Sequence, residues 1–205
     1  MARHGTREPM NMRDVARDAV RARVADYALD LFVEHGFDNT TVDDIADAAG
    51  ISPRSFFRYF ATKEDVVIED PVANGRTLAD ALAVRPAGED PWDSMRVTLQ
   101  ALVAGGSDPE SRRGLRTMRV VFGSATLRAR NLEKHLTWAQ MITPLAEQRF
   151  DGDPAERRFR AQTLIHGAFT CFDVALAEWV ARDGATPLAE LLDIAFDELH
   201  PPVPR

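Results

Sequence analysis

The 205-residue chain is predicted to be all-helical, on three observations. No stretch sustains the period-2 alternation of Val, Ile, Thr and aromatics that a half-buried strand needs. Apolar residues instead recur at i, i+3, i+4 and i+7 along most of the chain. A third sign is a repeated pair, Asp90-Pro91, Asp108-Pro109, Asp153-Pro154 and Thr186-Pro187, which puts a capping oxygen ahead of a proline at the first helical position.

The first helix is expected from Ala19, with Val20, Val24, Tyr27, Ala28, Leu31 and Phe32 on one face and an end at His35-Gly36. Residues 1–18 are then a flexible arm carrying Arg3, Arg7, Arg13 and Arg17. Thr41 with Asp44 forms a capping-box pattern that opens a short helix ending near Ala49. Gly50-Ile51 makes a tight turn, and Ser52 caps a third helix with Pro53 at its first position, running to about Phe60. A fourth helix is expected from Lys63, kinked or interrupted at Pro71 because proline removes an intrahelical bond. Further helices are expected at 91–105, 109–122, 125–150, 154–182 and 187–199, before a proline-rich tail at 200–204.

Composition bounds what such a chain can do. With 45% apolar residues it can build a core, so disorder is not its main state. Cys171 is the sole cysteine, which leaves no intrachain disulfide to require an oxidising compartment. The first 17 residues have no apolar core of a leader, and nowhere do 18 apolar residues run together. The expected location is cytoplasmic, with no membrane partner. The net charge of −7 argues against an acidic partner at first sight, but it is unevenly spread. Residues 50–63 hold Arg54, Arg58 and Lys63 and no acid, while the acid excess falls mostly beyond residue 63.

Two short helices joined by a glycine turn between Val42 and Tyr59 describe a helix-turn-helix. Ala46 is small where the helices cross, and Ile45, Ala49, Ile51, Phe56 and Tyr59 can hold them together, leaving Arg54, Ser55 and Arg58 outward. Gly36-Phe37, Thr41-Val42, Ile45-Ala46, Ala49-Gly50-Ile51-Ser52, Ser55, Phe57, Tyr59-Phe60 and Lys63 together resemble the N-terminal motif of the TetR family of bacterial regulators. The resemblance covers about residues 19–66. It implies a DNA-binding domain at 19–65 in which Thr41 and Lys63 touch phosphates and Ser52, Pro53, Arg54, Ser55, Phe57, Arg58 and Tyr59 lie on the recognition helix. Phe57 stands where the family usually has Tyr, so a phosphate-reaching hydroxyl is missing there, though the ring can still meet a thymine methyl.

For residues 66–205 the resemblance implies a helical bundle that binds a small-molecule effector and forms a homodimer. The stretch 154–182 is apolar on more than one face, as a helix covered on several sides must be. Polar residues amid apolar ones nominate ligand contacts: Met118, Arg119, Phe122, Trp138, Met141, His166, Phe169, Thr170 and Asp173. The plainer alternative makes His166 a hydrogen-bonded core or interface residue, and Trp138, Met118 and Met141 ordinary core. The junction Arg58 to Val66, followed by the Trp138 region, is similar to regulators of acyl-CoA or mycofactocin type.

An enzyme is not expected. On one helix His166 and Cys171 stand about 140° apart and Asp173 about 10 Å along from His166, so they form no relay. The five histidines show no paired metal spacing, and there is no glycine-rich phosphate loop, so neither metal nor cofactor is expected. The functional expectation is a sequence-specific DNA-binding regulator, a repressor released from a palindromic operator by a small molecule. The alternative is an all-helical binding or interaction module with weakened DNA affinity.

Overall fold

A computed structural model describes residues 12–68, 70–103 and 108–200. Among them there are helices and no strand: α1 (Met12–His35), α2 (Val42–Ala49), α3 (Pro53–Phe56), a 3₁₀ turn (Glu64–Val66), α4 (Pro71–Ala83), α5 (Pro91–Val103), α6 (Asp108–Gly123), α7 (Ala125–Glu147), α8 (Pro154–Ala181) and α9 (Leu188–Leu199). The chain forms two compact units, dividing between Val67 and Ile68.

In the first unit, α1 packs on α2 and α2 on α3. Val24, Ala28 and Phe32 are buried as expected, joined by Ala25 and Leu29, whereas Val20 is largely exposed. Phe37, Ile45, Ala46, Phe56 and Phe60 complete the core. The helix α1 starts at Met12, not Ala19, so the last part of the expected arm is helical. Nothing in Met12–Asp18 breaks a helix, and an apolar-period criterion misses it because residues 15–20 face solvent. Arg3 and Arg7 lie outside the described residues, as does the tail beyond His200.

Three other expectations are corrected here. Regular α3 ends at Phe56; beyond it Arg58 and Tyr59 donate to carbonyls only three residues back, so the segment to Phe60 is a tightened turn. Pro71 does not kink a helix begun at Lys63. It begins α4, with Asp70 as N-cap accepting from Val72 N at 2.9 Å, which makes Asp70-Pro71 a further copy of the Asp-Pro device. Conversely, Thr186 does not cap α9, whose N-cap is Pro187 without a side-chain bond.

The second unit is a bundle whose main pairings are α4 with α7, α7 with α8 and α8 with α9, closed by α5 and α6. Helix α8 runs through the middle: Ile165, Ala168, Phe169, Phe172, Ala175 and Trp179 are buried on it. It is long and apolar enough to cross a membrane by length and composition alone, yet it packs against α5, α6, α7 and α9 as a core helix does.

The loop between α4 and α5 is held by charge. Arg149 donates from Nη2 to the carbonyls of Leu82 and Arg85, both at 3.1 Å, and from Nη1 to Pro86 O and Ser94 Oγ, both at 3.0 Å. One guanidinium thereby gathers three carbonyls at and just beyond the end of α4, of which those of Leu82 and Pro86 also accept backbone N–H groups. Beside it Glu89 accepts from Arg85 Nε at 2.8 Å and from Ser94 Oγ at 2.7 Å. The Arg85 and Ser94 hydrogen bonds hold the Glu89 carboxyl down at about 2, against an ordinary 4.5. A carboxylate with a lowered folded pKa contributes stability that is full above the ordinary value and lost as pH falls toward the lowered one. The difference in melting temperature between wild type and Glu89→Gln should therefore be largest above about pH 4.5 and shrink toward pH 2; a constant difference across that window contradicts the pairing.

Candidate functional site

The first unit builds an exposed ridge from its second and third helices. Thr41 closes the capping box: its Oγ1 accepts from Asp44 N at 3.1 Å and donates to Asp44 Oδ2 at 2.7 Å, while Thr41 N donates to the same carboxylate at 2.8 Å. The Thr41 hydroxyl and backbone bonds lower the Asp44 pKa. Gly50 then turns the chain in the left-handed region, at φ 67°, where a side chain would be strained. Ser52 caps α3 by accepting from Ser55 N at 3.2 Å, and its hydroxyl donates to Ser55 Oγ at 3.0 Å. These caps fix where the ridge begins.

Arg54, Phe57 and Arg58 are exposed on the ridge, Ser55 and Tyr59 half-buried, and Pro53 exposed at the first position of α3. The underside is Phe56, fully buried, with its ring 5.3 Å from Phe60 and edge-on to Phe57 at 5.5 Å. Because α3 stops at Phe56, Arg58 is not the next rung above Arg54 on one helical stripe. Its guanidinium lies 5.1 Å from the Tyr59 ring centroid and donates to Tyr59 Oη at 3.0 Å, so the two act as a pair.

Lys63 does something that its sequence does not announce. Its Nζ donates to Phe37 O and Thr40 O, each at 2.7 Å, and stands 4.1 Å from the Phe37 ring centroid. It thus ties the loop between α1 and α2 to the segment after α3, with one of its three N–H groups left to reach outward.

In the second unit, the nominated ligand residues do not converge on one place. Trp138 and Phe169 are buried in the bundle core, and Met118 and Phe122 pack against it. Met141 sits against Gly75 of α4, where an added Cβ would meet its sulfur at 2.6 Å. His166 and Thr170 face outward on α8, where Thr170 donates back to His166 O at 2.9 Å. The cause is register: His166 and Thr170 each follow a buried residue, Ile165 and Phe169, by one step of 100°, which carries both off the buried face onto one exposed stripe. His166 instead lines an open groove of about 430 Å³ between α7 and α8, with Gln140, Thr143 and Arg158. Arg119 is exposed and paired with Asp183. Asp173 meets His135 Nδ1 at 3.3 Å.

Asn131 and His135, both buried, were not nominated. The available signal was phase: they continue the inward face Leu127, Trp138, Ile142 and Ala146 of α7, where a polar residue is unusual. Among the described residues no group of three or more His, Cys, Asp or Glu could hold a metal ion.

The model for bacterial regulatory proteins of the tetR family matches residues 24–69, and the model for the MftR C-terminal domain matches residues 89–204. The chain belongs to the TetR family. It is 32% identical to the mycofactocin biosynthesis transcriptional regulator MftR of Mycobacterium tuberculosis over 184 residues, which is 88% of this chain and 89% of that one. It is 31% identical to the HTH-type transcriptional regulator TcmR of Streptomyces glaucescens, over 83% of this chain and 76% of that one. Among solved structures, the TetR-family repressor FadR of Thermus thermophilus, in complex with lauroyl-CoA, aligns over 90% of this chain and 96% of its own at 25% identity, with a TM-score of 0.54. As a TetR-family protein, the chain is a DNA-binding transcriptional regulator, with an N-terminal helix-turn-helix unit followed by a helical C-terminal unit.

Proposed function

We propose that the chain is a homodimeric repressor that an acyl-CoA thioester releases from a near-palindromic operator. The capped, exposed ridge of Ser52, Pro53, Arg54, Ser55, Phe57 and the Arg58–Tyr59 pair is the observation that carries the DNA half of this reading: it is cationic, bears hydroxyls and has no acid on it. Arg54 and Ser55 read base edges in the major groove, Phe57 packs on a thymine methyl, and the remaining N–H of Lys63 meets a phosphate, joined by Thr41 when its hydroxyl turns from Asp44 to the DNA. The effector half is supported by the lauroyl-CoA complex of the Thermus relative. The dimer is supported by apolar side chains left exposed on α8 and α9, among them Phe159 at 70%, Val174 at 57% and Ile194 at 49%.

DNA and effector are linked only by the difference in the effector's affinity for the two states of the protein. Lauroyl-CoA titrated into the protein bound to duplex from its own promoter region should release the DNA at a stoichiometry of one or two per dimer. Unchanged binding at saturating lauroyl-CoA overturns the effector class and leaves the DNA reading standing. Arg54→Ala should relax base preference, and retention of the full preference would misplace the reading face.

A further inference from the structure

One turn of α7 carries two buried polar atoms that have no hydrogen-bond partner among the described residues, Asn131 Oδ1 and His135 Nε2. Each residue is 5% exposed. Burial removes both atoms from bulk water, and native cores hold few such atoms without a reason. Spaced by four, the two side chains lie one above the other on the same face of the helix.

Their surroundings are defined by what α4 does not cover. Trp138 Nε1 donates to the carbonyl of Pro71, the first residue of α4, at 2.8 Å, and Arg149 reaches the carbonyls of Leu82 and Arg85 at its other end. So α4 accompanies α7 from Trp138 toward Arg149, and the turn with Asn131 and His135 lies past its start, where α6 and α8 are the other neighbours of α7. The walls around His135 are aromatic. Phe169 stacks on its ring at 5.2 Å with 17° between planes, Trp138 lies at 5.2 Å and Phe172 at 6.0 Å.

The hydrogen-bond sense of the pair follows from Asp173. Its carboxylate, 3.3 Å from His135 Nδ1, can only accept, so the tautomer that fits this contact carries its proton on Nδ1. Nε2 is then a lone-pair acceptor, and Asn131 Oδ1 is another. Two acceptors in an aromatic enclosure, with no donor to them among the described residues, select a ligand that is apolar in body and brings an O–H or N–H.

We propose that Asn131 and His135 are the polar anchor of the effector site, taking an apolar ligand through a hydrogen-bond-donating group such as a phenol, alcohol or amide. Asp173 is a positioning residue that sets the tautomer, and Phe169, Phe172 and Trp138 supply the apolar walls. The proposal rests on the bundle being the effector-binding unit and is independent of whether the effector is an acyl-CoA.

The test is a matched pair of probes, 2-naphthol and 2-methoxynaphthalene, which differ in the O–H donor, titrated calorimetrically into the full chain. 2-Naphthol should bind at least tenfold more tightly, and that margin should collapse in both Asn131→Leu and His135→Phe. Asn131→Leu removes an unpaired buried acceptor and should not melt below wild type, whereas His135→Phe also takes the Nδ1 donor from Asp173 and should melt lower. Ring-nitrogen NMR on the wild type gives a readout independent of the variants: the His135 Nε2 resonance should move to a hydrogen-bonded position with 2-naphthol and stay put with the ether. Equal affinities, no binding of either probe, or a margin that survives both substitutions overturns the proposal, the pair then being bridged by water alone. If lauroyl-CoA fails to release DNA while the naphthol margin holds, the effector class falls and the anchor stands. The reverse pattern removes the anchor and keeps the effector class.

Discussion

Phe56→Ala is expected to abolish operator binding while leaving the C-terminal bundle folded. Phe56 is fully buried as the last residue of α3, packed with Phe60 and Phe57, and it holds the exposed ridge against the helices beneath. Truncating a buried phenylalanine costs about 3–5 kcal/mol. The N-terminal unit has few large buried side chains, and domains of this size carry only about 0.05–0.15 kcal/mol of stability per residue, so the loss is comparable with the whole. The residues that read DNA are untouched by this substitution, yet they need α3 in place to present them together. Fluorescence anisotropy with an operator duplex should show at least a hundredfold loss of affinity, alongside a lower first melting transition by far-UV circular dichroism. Binding within threefold of wild type would mean that the ridge is held by something other than this core.

Arg149→Met has the largest expected effect in the bundle. It leaves the carbonyls of Leu82, Arg85 and Pro86 and the hydroxyl of Ser94 without their shared donor, and it removes a positive charge that favours ionised Glu89. Breaking a hydrogen-bonded charge of this kind costs about 2–5 kcal/mol, which in a unit of this length lowers the melting temperature by on the order of 10 °C. Arg149→Lys should recover less than half, because an ammonium cannot fork to four acceptors. A melting temperature within 2 °C of wild type for Arg149→Met would show that water replaces the guanidinium at little cost.

How much of this was legible in the sequence follows from which interactions are local. Caps are local, so Thr41 with Asp44, Ser52 and the Asp-Pro starts at Asp90-Pro91 and Asp153-Pro154 could be read directly, and they placed α2 and the starts of α3, α5 and α8. The same logic applied at Asp70-Pro71, where the expectation of a kink arose from reading a helix out of Lys63 that the chain does not form. Lys63 was legible as a cation next to a helix-turn-helix, but its bonds to Phe37 O and Thr40 O span more than twenty residues and leave no local trace. The C-terminal nominations scatter for a different reason. Residue type pointed to His166 and Thr170, and register turned them outward, whereas His135 and Asn131 sit in the buried phase of α7 and gain their meaning from Phe169, Phe172 and Asp173 on another helix.

The net charge of −7 constrains how binding occurs. A chain with that excess has little tendency to coat DNA nonspecifically, so affinity has to come from docked recognition ridges whose cations stand in an acid-free stretch. The most direct test is a titration of the purified full chain against duplex from its own promoter region, over a range of salt and with a scrambled duplex of equal length. The account predicts tight binding at two half-sites about one helical turn apart, a logarithmic affinity that falls steadily with the logarithm of salt, and much weaker binding to the scrambled sequence. Equal affinity for both duplexes would contradict it.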